Sequence, residues 1–291
     1  MFELLLNPKK GERKPWTLFL VGFFYAALSV FFVNWIFLEN AVFTEHVSIL
    51  IITFTVILSI PFIYYTFRIE EEKDVLERER TKKIFLIKNH GRALTALMWL
   101  FLGYLVAFAL LYTVLPKNMV IHDFGSQIEQ YCTINSNDVN DCMARYGVTG
   151  KITGGLSLNE KQNRVVNIFI NNIYVLIFCL VFSLAFGAGA IFILAWNASV
   201  IATAMGIFSK ASLSDLPMAF GRYMIHGIPE ILAYFSVALA GGIISIAVVR
   251  HDWKDEKFWT ILQDSLDLIL FSIIILIIAA LIEVFVTPAI F

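Results

Sequence analysis

His226, Gly227, Ile228, Pro229 and Glu230 place an imidazole and a carboxylate four residues apart at one end of an apolar stretch, Tyr223 to Val248, which finishes in Ala238, Ala240, Gly241 and Gly242. Four-residue spacing puts both side chains on one helix face. Pro229 admits two local forms, because proline inside a helix removes a hydrogen bond while proline at the first position of a helix is favoured. In the second form Glu230 sits in the first helical turn, where the dipole stabilises a carboxylate. Glu283 adds a second carboxylate in the last apolar segment, with Thr287 one turn further on. His226, Glu230 and Glu283 together form a set that can bind a divalent metal or run acid/base chemistry. Two bare carboxylates close together repel unless they share a proton or a cation. No HExxH occurs, the apolar segments hold no second histidine, and no motif sets a Ser or Cys beside His226. No cofactor is expected from these motifs, although the residue types could hold a divalent metal.

The elements that must carry these groups are membrane helices. Of the 291 residues 59% are hydrophobic and only 15% charged, too apolar for a solvated globular surface. The net charge of -1 has none of the basic excess that points to nucleic acid. The first apolar run, from Trp16 to Leu38, ends in large residues rather than a small-residue cleavage site, so it reads as a retained span. Val47 to Phe67 and Ala93 to Leu115 are again about the ~20 residues needed to cross hydrocarbon, Pro61 kinking the former and Pro116 stopping the latter. Val165 to Phe208 lacks Asp, Glu, Lys and Arg throughout, too long for one helix and suited to two joined by a turn at Gly187, Ala188 and Gly189. The Tyr223 to Val248 stretch is the sixth span, and a helix from about Ser265 to the C-terminus the seventh. The expected fold is all-α, a polytopic bundle of about seven transmembrane helices.

Two polar segments separate these spans. Between Arg68 and Arg92 the chain is densely charged, with Asp74 and Arg78, and Glu79 and Lys83, at i,i+4; Ile69, Leu76, Ile84 and Ile87 recur near helical spacing, which predicts a helical connector. From Pro116 to Arg164 runs a hydrophilic loop too long to be structureless, which a Cys132 to Cys142 disulfide would tie down. Cys179 reads as a packing residue.

With the N-terminus in the cytoplasm, fifteen of the 22 Lys and Arg fall on the inner side, which favours N-in, C-out in a multi-pass cell-membrane protein. That orientation puts Cys132 and Cys142 on the oxidising side. At the ~1.5 Å helical rise, Asn171 and Asn172 come roughly 10 Å below the outer surface, His226 roughly 6 Å, Glu230 and Glu283 roughly 12 Å. Asn197 falls near mid-membrane. Polar groups from helices of opposite direction thus reach a similar depth, which predicts one cluster of Asn171, Asn172, Asn197, His226, Glu230, Glu283 and Thr287.

The same residues carry a family likeness. Asn171-Asn172, the glycine turn, Asn197, His226-Gly227-x-x-Glu230, and Glu283 with Thr287-Pro288 resemble the stage II sporulation protein M family of integral membrane proteins over roughly residues 165–291. The resemblance implies a membrane scaffold, since the family's namesake recruits peptidoglycan-degrading enzymes during engulfment. It divides the chain into a two-span segment with its charged connector (1–92), a third span with an extracytoplasmic loop (93–164) and a four-span family-like region (165–291). Three readings stay open: an envelope scaffold or assembly protein that contacts lipid and other envelope proteins or its own copies, a transporter or lipid-binding protein with a polar cavity, and an intramembrane metal-dependent hydrolase.

Overall fold

The computed structural model describes residues 15–37, 46–78, 86–135, 142, 158–186, 190–209, 213–250 and 256–290. In chain order the helices are α1 (Thr17–Phe37), α2 (Val47–Arg78), α3 (Leu86–Val114), α4 (Lys117–Asn135), α5 (Leu158–Phe186), α6 (Ala190–Ser209), α7 (Leu216–Arg250) and α8 (Glu256–Leu281). The last continues through a π-helical turn, Ile282–Val286, into a final turn, Thr287–Ile290. All except α4 contain a segment long and apolar enough to cross a membrane, which makes the seven expected spans.

Four helices start well before their apolar runs, α3 at Leu86 rather than Ala93. α5 begins at Leu158 rather than Val165, α7 at Leu216 rather than Tyr223, and α8 at Glu256 rather than Ser265. In α3, α5 and α8 the reason is that an apolar run marks hydrocarbon, whereas Lys, Glu and Gln propagate a helix as readily in water; the added turns of α7, Leu216–Arg222, are themselves mostly apolar and extend its span. Pro217 lies in the first turn of α7, where its missing N–H costs nothing. α7 also runs unbroken through Pro229, so the form with a helix start at that residue is not adopted. The Gly187–Gly189 turn falls between α5 and α6, outside the described residues, as do the basic residues before Trp16; the side chains of the Asp74–Arg78 and Glu79–Lys83 pairs are likewise not described.

α3, α6 and α7 form the inner part of the bundle, with α1 against α3, and α5 and α8 against α7. One hydrophobic core runs through all of them. Without a hydrophobic force between helices in lipid, close backbone approach and side-chain fit hold such a bundle. Backbone meets backbone at Gly22 of α1 and Gly103 of α3: a Cβ at Gly22 would strike the Leu100 carbonyl, and one at Gly103 the Phe19 carbonyl. On the other side of the bundle Ser183 of α5 donates to the Ala238 carbonyl of α7 at 2.5 Å, and Gly241, one turn on, leaves room for that contact.

α4 is local structure within the first part of the expected 116–164 loop. Val120, Asp123, Phe124, Gln127, Ile128 and Cys132 are all buried, a helical stripe that packs α4 onto α2 and α6. Phe124 also meets the rings of Phe108 and Tyr112 of α3. Phe124 leaves helical geometry (φ -123°, ψ 15°), and Ser48 of α2 bridges the break by donating to the His122 carbonyl and accepting from the Ser126 N–H, both at 3.4 Å. Beside the break Asp123 accepts from Asn34 of α1 at 2.9 Å and pairs with the neighbouring His122 ring at 3.0 Å. The expected Cys132–Cys142 disulfide is formed.

Gly22→Leu or Gly103→Leu should cost ~3 kcal/mol or more by forcing α1 off α3, read as loss of a monodisperse peak and a lower unfolding midpoint in detergent. Burial raises the Asp123 carboxyl above the usual carboxylate range, although its partners oppose the shift. A raised folded-state value means stability that is present at low pH and lost as pH rises through that value. Asp123→Asn should therefore gain thermal stability over the wild type as pH is raised from about 4 to 8; a difference independent of pH would contradict this.

Candidate functional site

Of the expected polar residues, Asn172, His226, Glu230, Glu283 and Thr287 meet on one face of α7, in successive rungs. Residues 226, 230 and 234 follow at four-residue steps, so their side chains lie one above another, about 6 Å apart along the axis. At the first rung the His226 ring nitrogen Nδ1 lies 3.2 Å from the Thr287 hydroxyl of the last helix. At the second, Asn172 of α5 donates its side-chain N–H to Glu230 Oε1 at 2.7 Å, and Glu283 stands within electrostatic reach of Glu230. The third rung is Tyr234, within reach of Glu230, Glu283 and Cys179. Cys179 is seven residues from Asn172, two turns along the same face of α5.

Local sequence explains why α8 can present Glu283 here. Pro288 has no N–H to return to the preceding turn, so the helix cannot close normally ahead of it. Instead it widens over Ile282–Val286, and both the N–H and the hydroxyl of Thr287 turn to the Ile282 carbonyl, five residues back. A π turn of this kind re-aims the side chains it contains and is found mostly where helices carry function. Glu283 and Thr287, four apart, are thereby delivered to Glu230 and His226, four apart on α7.

Two members of the expected polar set, and the expected metal set as a whole, behave differently. Asn171 is exposed and approaches the cluster only through Asn172, at 3.5 Å. Asn197 donates to the Ile193 carbonyl of its own helix, α6, and makes no hydrogen bond to the other members. His226, Glu230 and Glu283 do not converge as ligands for one ion: among the described residues no three His, Cys, Asp or Glu side chains do. The physical reason is that His226 is one turn above Glu230 and is engaged with Thr287 instead.

Tyr234 and Cys179 were not anticipated as members, although their spacing from Glu230 and Asn172 was legible. Arg222, one turn before His226, was also missed: it lies within electrostatic reach of His226 and stacks over the Phe208 ring of α6 at 5.7 Å. Chemically, the site offers two carboxyl groups within electrostatic reach of each other, one amide donor and an imidazole–hydroxyl pair. Such carboxyls in a low-dielectric setting can hold one proton or one cation between them.

The family model described as "Stage II sporulation protein M" matches residues 17–288, and so takes in the first three spans and α4 as well as the four-span region to which the sequence motifs belong. An uncharacterised protein of Methanocaldococcus jannaschii is 34% identical over 129 residues, which is 43% of this chain and 71% of that protein. No solved structure matches the chain.

Interhelical polar contacts in membranes are worth on the order of 1 kcal/mol. A double-mutant cycle of Asn172→Ala with Glu230→Gln should return a coupling of about that size in an unfolding titration, whereas Asn197→Ala should show no coupling to Glu230→Gln. Equal coupling for both would mean that Asn172 and Glu230 are not partners.

Proposed function

We propose, from the premise that this chain belongs to the stage II sporulation protein M family, that it is an envelope scaffold or assembly protein whose intramembrane polar cluster locks three helices into the shape a partner recognises. The observation that carries this reading is the pairing of polar groups between helices: Asn172 with Glu230, and His226 with Thr287, join α5, α7 and α8 side chain to side chain. Unpaired polar groups are costly in hydrocarbon, so these contacts give the three helices one preferred register. An open groove of about 240 Å³ elsewhere in the bundle is lined by none of the cluster residues.

In this reading the N-terminus is cytoplasmic and the cluster lies in the outer half of the membrane, which the distribution of basic residues and the disulfide both favour. Partners would be other envelope proteins or further copies of the chain, with lipid around them. A second reading, a transporter that moves a cation or proton through the cluster, is favoured by the Glu230 and Glu283 carboxyls lying within electrostatic reach of each other.

The test is to compare the full chain with Glu230→Gln and with Thr287→Val in native membranes. A scaffold should run in an assembly larger than the monomer on a native gel after mild solubilisation. Either variant should release folded monomer by breaking helix register. Ion flux in proteoliposomes that disappears with Glu230→Gln would overturn the scaffold reading in favour of the transporter. An assembly unchanged by both substitutions would remove the cluster from the proposal.

A further inference from the structure

The side of α7 turned away from the cluster forms one wall of the 240 Å³ groove. Leu232 is two residues on from Glu230, about 200° around the helix, and it faces α3, whose Leu94, Met98, Trp99 and Leu102 make the opposite wall. The groove starts at Gly91, the first residue of the α3 span, and ends at Leu102. Eleven residues of helix is roughly 16 Å, close to half of a ~30 Å hydrocarbon core. The cleft is therefore about the length of one leaflet, follows the axis of α3, and is lined almost wholly by apolar side chains.

Its mouth is built differently from its walls. A Cβ at Gly91 would meet nothing within 4 Å, so the entrance stands open. Arg92 is exposed beside it and makes no ion pair with any described residue. Arg92, Thr95 and Trp99 follow one another at helical spacing along the lip, and Trp99 remains 37% exposed. The Thr95 hydroxyl is already committed to the Gly91 carbonyl at 2.7 Å, so among the described residues at the mouth Arg92 is the charged group. A fixed positive charge at the membrane surface above an apolar slot one leaflet deep matches a molecule with an anionic head and a hydrocarbon tail.

We propose that the α3–α7 groove is a binding site for a phospholipid with an anionic headgroup, one acyl chain lying against Leu94, Met98, Leu102 and Leu232 and the phosphate at Arg92. The bound chain fills the space behind α7 and so supports the helix that presents Glu230 on its other face. Occupant and buttress are separate from the scaffold reading, because lipid retention is measured without any partner or activity.

The experiment is native mass spectrometry of the purified full chain titrated with dioleoyl phosphatidylglycerol and, separately, dioleoyl phosphatidylcholine. The wild type should retain the anionic lipid in preference. Arg92→Gln should reduce that preference roughly fivefold, the weight of one basic residue at an anionic membrane surface. Gly91→Leu should reduce retention of both lipids, because its side chain enters the mouth; the open space around Gly91 lets this variant fold, which an unchanged circular dichroism spectrum and elution volume would verify. If Gly91→Leu retains both lipids like the wild type, the groove is not the site and the proposal fails. If it changes the oligomeric state instead, the groove is an interface between copies and the proposal fails equally.

Discussion

A carboxyl group inside an apolar bundle has to be answered by other side chains, because neither lipid nor neighbouring backbone will do so: helical backbone groups are already paired along the axis. Glu230 is answered by the Asn172 amide, and Glu283 is brought up beside it. Much else follows from that requirement. Asn172 must face inward from α5, which explains why it is buried while Asn171 beside it is exposed. α8 must widen into a π turn to deliver Glu283 and Thr287 at the levels of Glu230 and His226. Ser183 and Gly241 must let α5 approach α7 closely enough for a 2.7 Å contact to form two to three turns away.

α7 is the helix on which these demands converge. One face carries Arg222, His226, Glu230 and Tyr234 toward α5, α6 and α8, while Leu232 turns toward α3 and the apolar groove. A helix that is polar on one side and apolar on the other is ordinary at a water surface. Here both sides lie within the bundle, and the polar side is matched by side chains from α5 and from the end of α8. Its 35 residues exceed what hydrocarbon requires, so α7 crosses with a tilt or projects from one face.

The other half of the molecule solves a related problem with α4. Its buried stripe mixes Val120, Phe124 and Ile128 with Asp123 and Gln127, and the polar members hid it. A hydrophobic period interrupted by Asp and Gln reads as a hydrophilic loop, because periodicity is judged on apolar residues. Only the neighbours make the stripe intelligible: Asn34 on α1 donates to Asp123, Ser48 on α2 spans the break at Phe124, and Trp196 on α6 donates to Gln130 at 2.6 Å. The family match across residues 17–288 agrees with a bundle in which these first helices share one core with the later ones.

Composition and the length of apolar runs settle much by themselves: an all-helical chain with seven segments able to cross a membrane, and costly polar groups at positions 172, 230 and 283. Those properties are local, since hydropathy over ~20 residues is a sum over neighbours in the chain. Partnership is not local, and only tertiary structure decided it. Asn197 has the same character as Asn172 in the sequence, yet it bonds to its own helix while Asn172 crosses to Glu230. His226, which by residue type suits a metal with the two carboxylates, goes to Thr287 instead. The rotation of each helix about its axis selects among such outcomes, and it is set by packing contacts such as Gly22 against Gly103 and Gly241 against α5, which no single span encodes.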